Sequence, residues 1–187
     1  YAYAVGLGGL LRAALPEGSV IDTPPEGGGT ANALLVSRGQ FDMGFGMASV
    51  NKWAEAGTVV YDEPITDLRS LVGGLDQYYL AIAVAGEDAP ASLDAYLEQN
   101  PDVNVVLRQK GSSGAEGGIQ MLTLSGYSPE TIVENGGTFE RVRSFGIVKD
   151  AMVSGDGELW IHTVTRGHPA MTDVSQSMDV SFPGPSD

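Results

Sequence analysis

The chain has 187 residues, 42% of them hydrophobic, enough for one large domain or two small lobes with a real core. Its 24 acidic residues against ten lysines and arginines give a net charge of −14, which disfavours nucleic acid and anionic membrane surfaces as partners. Cysteine is absent, which excludes disulfides, thiolate metal sites and cysteine nucleophiles, and the two histidines, His162 and His168, are not spaced as a metal pair.

Ala4, Leu7, Gly8, Leu11, Ala14 and Leu15 follow helical spacing, and Pro16 with Gly18 ends the segment, so the chain opens inside a helix. GLGG at 6–9 reads as packing rather than a dinucleotide fingerprint: Leu11 stands where the third glycine belongs and no strand precedes it. SVID at 19–22 predicts a short strand, followed by the turn TPPEGGGTAN and a helix with Ala31, Leu34 and Leu35 inward. In that turn Gly27, Gly28, Gly29 and Thr30 lead into the helix, with Thr30 as cap and Asn32 offering an amide; a plain flexible loop reads equally well. FDMGFG at 41–46 predicts a strand, and residues 48–56 a helix carrying Trp53. Two apolar runs, 68–72 and 78–84, suit neighbouring strands or one strand leading into a crossover. GEDAP at 86–90 marks a boundary, giving a first lobe with its crossover over 1–86 and a second over 87–187.

Past the boundary the α/β alternation restarts with a helix over 92–100 and a β-branched strand over 103–107. RQKGSSGAEGGIQML, 108–122, then joins that strand to a helix whose Ala115, Gly118, Ile119 and Leu122 share one face, stopped at Gly126. The corner is not a nucleotide-binding P-loop, since Glu116 replaces the second glycine and no lysine follows. Two readings fit it. Serine and glycine before a helix serve as ordinary caps. They also let a carboxylate or phosphate approach the unpartnered N–H groups of a helix start, with Ser112 and Ser113 adding hydroxyls and Gly111 and Gly114 adding backbone freedom. Residues 131–142 carry no clear pattern; a helix then runs from Phe145 to near Gly155, and a strand over 158–164. Asp150, Asp156 and Glu158 lack the alternating ligand spacing of a calcium loop.

Taken together and in order, YAYAVGLGGLL, GGGTANALLVSRGQFDMGFG, the crossover ending in YYLAIAV, KGSSGAEGGIQMLTLSGY and GELWIHTVTRGHPAM resemble the TAXI-type solute receptors of TRAP transporters over nearly the whole chain. The resemblance implies a two-lobed type II periplasmic-binding-protein-like α/β fold, incomplete at both chain ends. Family members begin with a strand and glycine-rich turn before the position of Tyr1 and continue past Asp187. It implies a monomeric, extracytoplasmic or periplasmic binding protein, not an enzyme and without cofactor. Such a receptor clamps a small organic carboxylate, glutamate-like or a dicarboxylate, and delivers it to the membrane subunits of a TRAP transporter. On that resemblance Gly29, Thr30, Ala31 and Asn32 line the first lobe and Ser112, Ser113 and Gly114 the second. Trp160 and His162 fall in the segment where the family carries an aromatic near its cleft, although both also read as core strand residues.

The alternative from another class is a two-lobed transferase acting on a phosphorylated substrate. It is poorly supplied with cations: only Arg108 and Lys110 flank the second corner, and no basic residue lies within 13–37. No Ser, His and Asp spacing argues for a triad. A sensory binding lobe is a third reading.

The −14 charge reads either as a well-solvated surface or as adaptation to salt. On the second reading carboxylate repulsion weakens the fold in dilute buffer and screening relieves it, so the melting temperature should climb with sodium chloride. A flat or falling curve up to molar salt would remove the salt-adaptation reading.

Overall fold

Among the described residues, 2–24 and 28–185 of the computed structural model, eight helices and five strands form a mixed α/β structure. Gly27 of the first glycine-rich turn lies outside them, with Pro25 and Glu26, as do Tyr1, Ser186 and Asp187. The chain divides into two compact units, Tyr1–Leu71 and Val72–Asp187.

Unit 1 holds α1 (Ala2–Ala14), α2 (Ala31–Ser37) and α3 (Ala48–Ala56), the last two packed on a small core of Ala33, Val50, Ala54 and Tyr61. Gly8 is the packing glycine of the GLGG run: a Cβ there would lie 3.3 Å from the methyls of Ile21 and Thr23, whereas Gly6 and Gly9 face open space. The strands predicted over 19–22, 41–46 and 68–72 do not form; no strand occurs in unit 1 among its described residues. A β-branched or aromatic run becomes a strand only where a neighbour completes its ladder of hydrogen bonds. Two of these segments instead take single bonds with the helices: Phe41 N–H donates to the Leu35 carbonyl (3.1 Å), and Arg12 donates to the Ile21 carbonyl (3.2 Å).

Unit 2 is built on one five-stranded mixed sheet in the order β3-β2-β4-β1-β5. Its strands are β1 (Tyr79–Ala85), β2 (Asn104–Arg108), β3 (Thr138–Val142), β4 (Leu159–Val164) and β5 (Val180–Ser181). β2 runs parallel to β3 and β4, while β1 runs antiparallel to β4 and β5. The run 78–84 is thus strand β1 of unit 2, and the boundary expected at residue 86 falls inside this unit. The reason is the ladder that ties β1 to β4 from Tyr79–Val164 to Val84–Leu159.

Alternation along the strands fills both faces of the sheet. Ile82, Val84, Val105, Leu107, Leu159 and Ile161 point to one side, where they bury Leu97 of α4 (Leu93–Gln99), Leu122 of α5 (Ser113–Leu124) and Ile132 of α6 (Pro129–Glu134). Ala83, Val106 and Trp160 point to the other, against Val148 and Met152 of α7 (Phe145–Ser154) and Val174 of α8 (Pro169–Ser177). The result is a helix–sheet–helix sandwich. Gly118 lets α5 lie close on the sheet, since a Cβ there would sit 3.2 Å from the Ile161 side chain.

A clasp closes the unit. Gly86 N–H donates to the Asp179 carbonyl (2.9 Å), Ser181 Oγ donates to the Gly86 carbonyl (2.6 Å), and Gly184 N–H donates to the Ala91 carbonyl (2.8 Å).

Candidate functional site

Strands β2, β3 and β4 are parallel and are followed by α5, α7 and α8 respectively, so three helix starts gather at the carboxyl edge of the sheet. From β2 the chain leaves over one face, through α5 and α6, to β3; from β4 it leaves over the other face, through α8, toward β5. Neighbouring strands whose connections part in opposite directions open a crevice outside their carboxyl ends, and small ligands of open α/β sheets bind in such crevices. The strand order puts this switch point between the β2–α5 corner and the β4–α8 turn.

Ser112 is the N-cap residue of α5, yet its side chain makes no cap hydrogen bond. The other serines that lead helices in unit 2 do cap them: Ser92 Oγ accepts from Ala95 N–H (3.3 Å), Ser128 Oγ from Thr131 N–H (3.2 Å) and Ser144 Oγ from Ile147 N–H (3.3 Å). Simple capping therefore does not account for Ser112. The first-turn amides of α5 are the ones a helix leaves without intrahelical partners, and they carry its positive dipole end. Ser113 is buried, with its hydroxyl 3.3 Å from that of Thr163 on β4. Gly114 is required by space: a Cβ would run into His162 Nδ1 and lie 2.6 Å from the Thr163 amide nitrogen. Glycine here lets β4 and the start of α5 touch.

Arg108, the last residue of β2, is half-buried and places its guanidinium carbon over the ring of Phe145, the first residue of α7, 4.6 Å from the ring centroid. It donates to the Val142 carbonyl (3.3 Å), and no carboxylate among the described residues forms an ion pair with it. The ring face attracts the cation, and burial weakens its hold on its proton without neutralising it.

His162 is 8% exposed and its Nδ1 has no hydrogen-bond partner among the described residues. Its ring stacks on Trp160 (6.1 Å between centroids) and meets Phe145 and His168 edge-on (5.0 and 6.0 Å). Burial first, then His168 and Arg108, pushes its pKa down to about 4, so the imidazole is neutral at pH 7. Trp160 does not line the crevice; it is fully buried in the core on the α7–α8 side of the sheet.

The residues expected from the first corner lie in unit 1. Thr30 is the N-cap position of α2, buried and without a side-chain cap bond, and its carbonyl accepts from the Tyr61 hydroxyl (2.6 Å). Asn32 spends its amide on the fold: Nδ2 donates to the Phe45 carbonyl (2.8 Å) and Oδ1 accepts from Gly28 N–H (3.3 Å). Ala31 opens α2, and Gly29 sits in the turn before it. This corner therefore reads as a self-bonded brace in which Asn32 plays the structural part. A groove of about 560 Å³ elsewhere in unit 1 is lined by Arg38, Tyr61, Asp62, Glu63 and Asp67. Three carboxylates against one arginine make it repellent to an anion, so its size does not make it the site.

No protein-family model and no curated protein matches the chain. Among the described residues no three His, Asp or Glu side chains gather as a metal would need. Phe145, His168, Thr163 and Glu116 complete the unit 2 site beyond the residues expected from the sequence. Phe145 of α7 carries Arg108 and meets His168 of the β4–α8 turn edge-on (5.3 Å), Thr163 of β4 meets Ser113, and Glu116 of α5 pairs with Arg141 of β3.

Proposed function

We propose that the protein is an extracytoplasmic solute receptor that binds a small organic carboxylate without turning it over. In this reading the chain has a two-lobed fold of the type II periplasmic-binding-protein kind, and the bound acid passes to the membrane subunits of a TRAP transporter. The observation that carries it is Arg108: in a chain of net charge −14, a half-buried guanidinium over the Phe145 ring at the switch point has no carboxylate paired with it among the described residues. One arginine, the start of a helix and two serine hydroxyls suit a carboxylate, whose charge is spread over two oxygens. A polyphosphate needs more cations than this edge supplies. No helix among the described residues is long and apolar enough to cross a membrane.

Calorimetry against amino acids, dicarboxylates, keto acids and nucleotides, followed by product analysis, tests the reading. Binding of an organic acid recovered unchanged is expected; binding confined to nucleotides, or conversion of a bound acid, would sink it. Changing Ser112 and Ser113 together to alanine should weaken binding while costing about 1 kcal/mol of stability, chiefly from the lost Ser113–Thr163 bond. A double variant that loses its fold yet binds normally in its folded fraction would reduce the corner to a structural turn.

A further inference from the structure

His168 leads α8 as its N-cap residue, yet its side chain makes no cap bond, and its Nδ1, shut off from water, meets no partner among the described residues. Ring contact seats the imidazole: it meets Phe145, the first residue of α7, edge-on (5.3 Å between centroids) and His162 of β4 at 6.0 Å. The backbone of the turn bonds to itself, His168 N–H donating to the Thr165 carbonyl (3.2 Å), while the ladder between β4 and β1 ends at Val164. Gly167, left-handed (φ 69°), and Pro169, which has no N–H, flank His168. The turn can therefore lift without breaking a sheet bond. A groove of about 270 Å³ bordered by Ala81, His168, Met171 and Phe182 gives the imidazole room beside α8.

This seat suits a neutral imidazole only. A positive charge on His168 would lie at the positive end of the α8 dipole. It would share Phe145 with the guanidinium of Arg108, 4.6 Å from the ring centroid. A protonated imidazole also carries a hydrogen on each nitrogen, and Nδ1 has no acceptor to receive one. Among the described residues no carboxylate pairs with His168, His162 or Arg108: Asp173, the one acid of α8, is tied to Lys149 of α7 (3.2 Å), and Asp150 of α7 is exposed. Arg166, within the turn, lies over Tyr79 (5.7 Å), and Arg143, just before α7, is exposed, so both add positive charge. Burial holds His168 below the ordinary histidine range, and the more deeply buried His162, at about 4, stays neutral at pH 5.

We propose that His168 is a proton-operated latch: neutral, it seats the β4–α8 turn on Phe145; protonated, it leaves the ring for water and frees the turn together with the start of α8. The freed imidazole is solvated and takes a proton more readily than the seated one, so opening grows as pH falls through the histidine range and reverses as pH rises. Because Phe145 also carries Arg108, acid loosens this edge of the sheet whatever ligand the edge takes.

Hydrogen exchange by mass spectrometry on the whole chain, at pH 7.5 and 5.0 and corrected for the intrinsic rate at each pH, tests the latch. Protection over residues 165–174 should fall about tenfold or more at pH 5.0, while β1 and β4 change by less than about threefold. His168→Phe keeps a ring against Phe145 but takes no proton, so its protection over 165–174 should differ by less than about threefold between the two pH values. His168→Arg is charged at both and should be as weakly protected at pH 7.5 as the parent is at 5.0. The latch is overturned by a parent whose protection over 165–174 does not change, by an acid loss as large in His168→Phe as in the parent, or by a folded His168→Arg as protected at pH 7.5 as the parent. A loss shared equally by β1 and β4 overturns it too, since acid would then act on unit 2 as a whole. If His168→Arg fails to fold, the comparison of the parent with His168→Phe decides.

Discussion

Trp160→Ala should destabilise unit 2 by about 3–5 kcal/mol, the cost of emptying a buried aromatic site that cannot collapse. Trp160 is fully buried in β4, within the cluster of Ala83, Val106, Val148 and Met152, and its ring lies 6.0 Å from that of Phe145. Strands hem it in on both sides and α7 covers it, so neighbours have little freedom to move into the void. Its indole N–H meets no acceptor among the described residues, an unmet bond that offsets part of the benefit of burial. Trp160→Phe should therefore cost far less than the alanine change, despite the smaller ring. Urea unfolding followed by far-UV circular dichroism checks both. The one remaining tryptophan, Trp53, lies in unit 1 and reports by fluorescence whether that unit survives. An alanine variant within 1 kcal/mol of the parent would contradict the core placement.

The second large effect is a loss of stability in acid traceable to His162. In the folded protein its pKa is about 4, against roughly 6.5 for an unfolded chain, so the unfolded state takes up the proton first. The contribution is complete above pH 6.5, declines as pH falls from there through about 4, and is spent below. At pH 4.5 it amounts to about 2–3 kcal/mol relative to pH 7.5. Carboxylates also titrate in this range, so the measurement is a difference of differences. Unfolding free energies at the two pH values, in the parent and in His162→Gln, should show the variant losing about 2 kcal/mol less. Arg108 and His168, the charged and titratable neighbours that depress the imidazole, remain in both proteins. Equal acid losses would mean that His162 is solvated.

Unit 2 was readable from the sequence because its elements carry their own signals. The β-branched run before residue 108, the inward spacing of Ala115, Gly118 and Leu122, and left-handed glycines at 126 and 155 fix β2, α5 and the ends of α5 and α7. The stretch 131–142 was opaque for physical reasons. α6 has only six residues and begins at Pro129, which reads as a stop for the helix before it. β3 is an edge strand whose TFERV pattern is mostly solvent-facing, so no apolar alternation marks it. Unit 1 misled in the other direction: residues 19–22 and 41–46 have strand-like side chains but gain no partner, and pairing is not written in local composition. For the site, the corner serines and Arg108 were visible, whereas Glu116 stood out only as the residue that breaks a P-loop pattern. Its tie to Arg141 depends on β3 lying beside β2, which periodicity does not reveal.

The clasp between residues 86–91 and 179–184 also sets the order in which this protein can be made. β1 is synthesised early, but its ladder partners lie in β4 and β5, about eighty to a hundred residues further on. As the chain leaves the ribosome, at roughly 5–20 residues per second, β1 must wait several seconds as an apolar strand with neither neighbour. Contacts so distant in sequence also slow closure once all the parts exist. The nascent chain is therefore most exposed to wrong pairing between the emergence of β1 and that of residue 184, an interval in which a holding chaperone would have its greatest effect on yield.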